Sequence, residues 1–160
     1  EAPDEDRTAE LYEIAIDELA RAGVHQYEIS NFARAGEESR HNLKYWRLEP
    51  YVGFGADAHS FDGLVRSANA ESPLDYTERM ERDGAATTDM GPAHLREEKF
   101  LVGLRLNEGV RPTAEEWHQF REPIERFVRT GLLDATHGIL RLTRRGVLLS
   151  NEVFEEFLCH

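Results

Sequence analysis

Two patterns of apolar residues meet at Pro92, and they constrain the fold more than any other feature of this 160-residue chain. Before Pro92 a helical period gives way at once to an alternating one. Leu11, Tyr12, Ala15, Ile16, Leu19 and Ala22 recur at the i, i+3/i+4, i+7 spacing of one helix face, which predicts a helix over residues 6–22. Asp4, Glu5 and Asp6 crowd the positive end of its dipole, and Gly23 supplies a left-handed stop. Residues 24–30 then alternate, with Tyr27 and Ile29 set against polar neighbours as in a strand. Helix, glycine break and strand form the αβ half of an α/β unit, and the pattern offers this strand no partner within the chain. Residues 31–50 carry no clean period and read as loop with room for a short helix. Residues 51–55 and 64–67 read as strands joined at Asp62-Gly63, and Ser72-Pro73 opens a helix to about Arg82. The Thr-, Gly- and Ala-rich residues 84–91 are the expected linker.

After Pro92 helical periods dominate. One helix is expected over 93–106, and a second opens at Thr113, whose spacing to Glu116 is that of a capping box. A third spans 123–130 and stops at Gly131. Two short strands about His137-Gly138 follow, then a last helix capped by Thr143. Three helices, a hairpin and a closing helix make a winged-helix-like arrangement. The expected class is therefore α+β, with one domain over 1–91 and a mostly helical one over 92–160.

Composition removes several functions. Cys159 is the single cysteine, which excludes a disulfide scaffold, a zinc finger and a self-contained iron–sulfur site. Apolar runs such as Val147-Leu148-Leu149 fall far short of the roughly 20 residues a membrane span needs, so any membrane association would be indirect. No basic-then-apolar leader opens the chain, in keeping with a cytoplasmic protein, and Glu1 in place of Met marks an expected cut piece. Of the net charge of −12, residues 1–91 hold 9 Lys and Arg against 20 Asp and Glu. An acidic surface repels phosphate backbones, and the would-be recognition helix balances Glu122 and Glu125 against Arg126 and Arg129, so no nucleic-acid partner is expected.

Gly53-Phe54-Gly55-Ala56-Asp57-Ala58 has the G-x-G-x-x-A spacing of a dinucleotide fold, but a turn follows it where that fingerprint needs a helix. Close backbone packing or a bend explains the glycines better. His25, His94, His118 and His137 show no metal-ligand spacing, and His59 reads as a hydrogen-bonded structural histidine or as one lining a pocket. The octet Arg40-His41-Asn42-Leu43-Lys44-Tyr45-Trp46-Arg47 differs, placing three cations, an imidazole and two aromatics in the acidic half. Such a set suits a flat, carboxylate-bearing ligand: imidazole ligates iron, rings offer faces to a macrocycle, and Arg or Lys pairs with propionates. It equally suits a loop whose His and Asn bond to backbone while Trp46 anchors it to the core.

The octet, the segment Tyr27 to Arg34, Tyr51 to Gly55, Ala58-His59-Ser60, Gly103 to Leu106 and Leu142 to Val153 together resemble the HemW-type haem chaperones. These are radical S-adenosylmethionine relatives of oxygen-independent coproporphyrinogen III oxidase, and H-N-x-x-Y-W is the signature that looks like HemW and not the oxidase. The resemblance implies the C-terminal portion of such a protein, with residues 1–30 closing an incomplete (β/α) barrel. It also implies a 4Fe–4S cluster and S-adenosylmethionine in the intact protein, bound by a C-x-x-x-C-x-x-C motif that this chain lacks. The chain is expected to have no catalytic residues of its own. His41 is the implied haem ligand; Asn42, Tyr45 and Trp46 complete the matched motif, with Arg40 and Arg47 beside it. Phe32 and Ala33 would lie near the S-adenosylmethionine pocket. Ala35, Ala56 and Asp57 stand where the family often has Pro, Pro and Gly. The implied activity is binding haem and passing it to a recipient haemoprotein; the alternative is oxidative decarboxylation of coproporphyrinogen III.

Overall fold

The computed structural model describes residues 4–158; Cys159 lies outside them. Helix α1 runs Glu5–Arg21, with the Asp4 carboxylate accepting from Arg7 N at 2.8 Å and Gly23 at φ 75° ending it. Strand β1 (His25–Glu28) follows as expected, yet it is paired on both sides. On one side it forms a tight hairpin with β2 (Asn31–Ala33), Gln26 facing Phe32. On the other, Glu28 bridges Leu106, Ile29 N donates to Arg105 O and Asn107 N donates to Tyr27 O. The expectation of a strand without partners is thereby corrected. A strand's backbone groups must be paired, and a three-residue strand and an isolated bridge are too short to leave a period in the sequence.

The segment without period contains α2 (Arg40–Trp46), capped by Ser39, whose Oγ accepts from Asn42 N at 3.3 Å. Leu48, at φ 54°, closes it: Leu48 N reaches Tyr45 O and Glu49 N reaches Lys44 O, the paired bonds of a Schellman ending. A second correction concerns residues 51–55, where only Tyr51 makes a bridge, to Phe61. The strand is instead β3 (His59–Phe61), antiparallel to β4 (Val65–Asn69). A Cβ on Gly53 would lie 2.2 Å from His59 O, and Gly55 sits at φ 102°, so the G-x-G serves close packing and a bend. Helix α3 (Pro73–Asp83) ends at Gly84. The expected linker is a third strand, β5 (Thr87–Pro92), antiparallel to β4. Its polar composition disguised it because it is an exposed edge.

Helix α4 (Leu95–Gly103) leads to α5 (Ala114–Gln119), α6 (Arg121–Arg129), the pair β6 (Leu133–Asp134) and β7 (Arg141–Leu142), and the closing helices. The single expected closing helix is two, α7 (Arg144–Leu148) and α8 (Ser150–Glu155), broken at Leu149. The break lets α8 turn Val153 and Phe154 inward, with Phe157 just beyond its end. These join Phe100, Leu104, Phe120, Ile124 and Leu140 in one apolar core built from residues 100–157. The two halves of the chain meet where Arg144 pairs with Asp17 of α1.

The capping box at Thr113 is present, with Thr113 N donating to Glu116 Oε2 at 2.6 Å and Glu116 N to Thr113 Oγ1 at 3.2 Å. Thr113→Ala is expected to cost about 1 kcal/mol in urea unfolding, the usual worth of an N-cap.

Candidate functional site

The octet is a helix and not a loop, and that decides which of its side chains share a face. At 3.6 residues per turn, positions four and seven apart align, so Arg40, Lys44 and Arg47 form one stripe. His41 and Tyr45 form the next, and Asn42 and Trp46 lie round the far side.

His41 is exposed and its ring meets the edge of Tyr45 at 4.9 Å. Among the described residues neither imidazole nitrogen has a hydrogen-bond partner. Tyr45 meets Tyr51 edge-on at 4.5 Å, and Tyr51 lies 6.3 Å from Phe61, a ladder running from α2 onto the small sheet. Arg66 closes its far end, 4.6 Å from the Phe61 ring centre and donating to Tyr51 Oη at 3.0 Å. Beside Tyr51 an apolar groove of about 430 Å³ is lined by Pro50, Val52, Phe61, Val65 and Met90.

Trp46 faces the other way. Arg105 covers its ring at 4.5 Å, and the buried indole Nε1 has no hydrogen-bond partner among the described residues. Arg105 Nη2 also reaches Glu28 Oε2 at 3.4 Å, and Glu28 is 0% exposed, accepting further from Ser30 N and Asn31 Nδ2. Trp46 is thus tied through Arg105 to the β1–β2 turn, and not to the apolar core. A groove of about 310 Å³ runs beside the indole, lined also by Arg47, Lys99, Glu108 and Arg111. Arg47 is held by both oxygens of Glu108, at 3.0 and 3.1 Å, which raises its pKa. Phe32 and Ala33 sit on β2 opposite Gln26 and His25, and no hydrogen bond, ion pair or ring contact joins them to the octet.

Sequence reasoning missed Arg105 and Arg66 as organisers of this region. Arg105 lies 59 positions from Trp46 and Arg66 lies 32 from Glu98, separations at which no spacing rule operates. Arg66 Nε donates to both oxygens of Glu98, at 3.1 and 3.0 Å, and this hydrogen bond holds the Glu98 carboxyl below its ordinary value. A depressed carboxylate contributes stability above its unfolded value, about 4.3, and loses it as pH falls through the lower folded value. Unfolding measured from pH 6 to 3 should therefore fall less steeply at the acid end in Glu98→Gln than in the parent.

No three of the His, Cys, Asp and Glu side chains among the described residues are grouped to hold a bare metal ion. A haem iron, held by its porphyrin, needs only one axial side chain.

The HemN C-terminal domain family matches residues 91–149. Over 98% of its length the chain is 37% identical to the heme chaperone HemW of Bacillus subtilis, covering 44% of that protein. It is equally 37% identical, over 98% of its length, to the heme chaperone HemW of Mycobacterium tuberculosis H37Rv, covering 41% of that protein. The chain belongs to the HemW-type family. Its mouse relative, the mitochondrial radical S-adenosyl methionine domain-containing protein 1, is 33% identical over 92% of the chain and 35% of that protein. The chain thus spans less than half the length of these HemW-type relatives. Its fold, mixed helix and sheet, is shared with the Escherichia coli coproporphyrinogen III oxidase HemN, a radical SAM enzyme. The TM-score is 0.71 at 17% identity, over 97% of this chain and 42% of that one.

Proposed function

We propose that this chain supplies the haem-receiving surface of a HemW-type protein, with His41 as an axial ligand to the iron, and that the intact protein passes the haem to recipient haemoproteins. One observation carries the reading: an exposed imidazole with both nitrogens unengaged, set on a helix beside cations and backed by a ladder of rings. Its exposed ring leaves a nitrogen available to iron, and what sets His41 apart from the other histidines is the company of Arg40, Lys44 and Tyr45 on the same helix. The names of the relatives agree with this reading. The oxidase alternative has less behind it, because 17% identity to HemN carries the fold alone.

The 4Fe–4S cluster and S-adenosylmethionine of a radical SAM relative would belong to the rest of the intact protein. The residues of this chain do not fit a cluster, with one cysteine where such a site needs three or four. In this reading residues 1–30 close the barrel, with Phe32 and Ala33 near the S-adenosylmethionine pocket. Residues 92–160 form a separate winged-helix-like lobe that docks on the barrel or the recipient. No helix among the described residues is long and apolar enough to cross a membrane.

Titrating hemin into the chain tests the ligand. The parent should show a shifted Soret band, and His41→Ala should lose that shift and bind on the order of 10–100-fold more weakly, as lost metal-site contacts do. An unchanged spectrum and affinity in His41→Ala would remove His41 as ligand.

A further inference from the structure

Residues 1–91 carry 9 cations among 20 carboxylates, so any cation there has acidic partners to spare. Six of the nine use them or a nearby acid: Arg7, Arg21, Arg47, Arg66, Arg79 and Arg82 all sit in ion pairs. The other three are Arg34, Arg40 and Lys44, whose side chains make no hydrogen bond or ion pair among the described residues. All three lie on or just before the helix that bears His41. Glu37, Glu38 and Glu49 flank them in sequence, yet none pairs with them; Glu38 accepts from Gly36 N instead. Cations left free in an acid-rich half are not short of partners within the protein. They are positioned where an external anion can take them.

Arg40 and Lys44 are four residues apart on one face of α2, which sets their Cβ atoms roughly 5–6 Å apart. The His41–Tyr45 stripe runs alongside. Arg47, the third cation of the octet, is occupied by Glu108 and turned towards the groove beside Trp46. Resting on the haem reading above, we propose that Arg40 and Lys44 recognise the two carboxylates of the tetrapyrrole, so that this surface selects porphyrins bearing free propionates. The iron then meets His41, and the macrocycle edge opposite the propionates extends along Tyr45 towards Tyr51 and the apolar groove. Arg47 is a structural cation that holds α2 to the loop after α4.

The experiment compares hemin with hemin dimethyl ester, which keeps iron and ring but carries no carboxylate charge. The parent chain should bind the ester about tenfold more weakly than hemin. That is the fold-change for two exposed ion pairs of somewhat under 1 kcal/mol each. Arg40→Gln/Lys44→Gln, both exposed positions given a good helix former, should bind hemin about tenfold more weakly and no longer distinguish it from the ester. Its His41-dependent Soret shift should persist at saturation. Arg82→Gln, an exposed change on α3 of the same charge, should leave the preference intact. Equal binding of hemin and ester by the parent, with the Soret shift still dependent on His41, would overturn carboxylate recognition while leaving the haem reading standing. A discrimination that survives in Arg40→Gln/Lys44→Gln would overturn the assignment to these two residues. Absence of any His41-dependent shift in the parent would overturn both.

Discussion

Phe157→Ala is expected to lower the free energy of unfolding by about 3–5 kcal/mol, measured by urea denaturation at neutral pH. Phe157 is 0% exposed, stacked on Phe100 with centroids 4.7 Å apart and planes parallel, and meets Phe120 edge-on at 5.2 Å. Truncation removes the stacked pair and one edge contact, and it leaves a cavity beside Phe100 and Phe120 within the apolar core. With native domains stable by 5–15 kcal/mol, such a loss takes a large share of the total. A cost under 1 kcal/mol would mean that these rings do not form the centre of the core.

The second large effect sits at the site. Arg105→Met should cost about 3 kcal/mol, because it leaves the Glu28 carboxylate, 0% exposed, without its cation. Methionine retains much of the stem's packing, so the loss reports the charge. The same change uncovers the ring of Trp46, and the indole emission should move to longer wavelength as water reaches it. Adding Glu28→Gln to Arg105→Met should recover a substantial part of the stability, since no buried charge then remains unpaired. A double variant no more stable than Arg105→Met would show that the two side chains are not energetically coupled. Because Trp46 belongs to α2, the variant also tests whether the helix bearing His41 is held in place from this side.

The separation of these two effects follows from how the chain is built. The apolar core draws on residues 100–157, and the α2 region is joined to it through side-chain pairs that cross long stretches of sequence. Local patterns were legible wherever an element was long enough to repeat. Helix α1 shows two faces over 17 residues, and the boundary signals at Asp4, Gly23, Ser72, Gly84, Thr113 and Gly131 all lie at the ends of elements. The two glycines of Gly53-Phe54-Gly55 serve packing and a bend as expected, although the residues read as a turn after them form strand β3.

Short elements were not legible, and they are the ones that shape the site. Helix α2 has seven residues, under two turns, and no period can be recognised over that length. Ser39 caps its start, and its end rests on Leu48 in a left-handed conformation that leucine does not announce. Strand β5 is polar because its outer edge faces water, so composition made it look like a linker.

The amino-acid sequence by itself determined the longer helices, the caps and glycines that stop them, and that one eight-residue stretch gathers imidazole, rings and cations in an acidic half. These depend on neighbours within a few positions, where spacing and side-chain chemistry act directly. Only the tertiary structure decided how that stretch divides its labour. Trp46 turns inward against Arg105, Arg47 is taken by Glu108, and the side chains of His41, Arg40 and Lys44 have no hydrogen bond or ion pair among the described residues. The partners that draw Trp46 and Arg47 away come from positions more than fifty residues distant, and only folding brings them within reach of a hydrogen bond or a ring face.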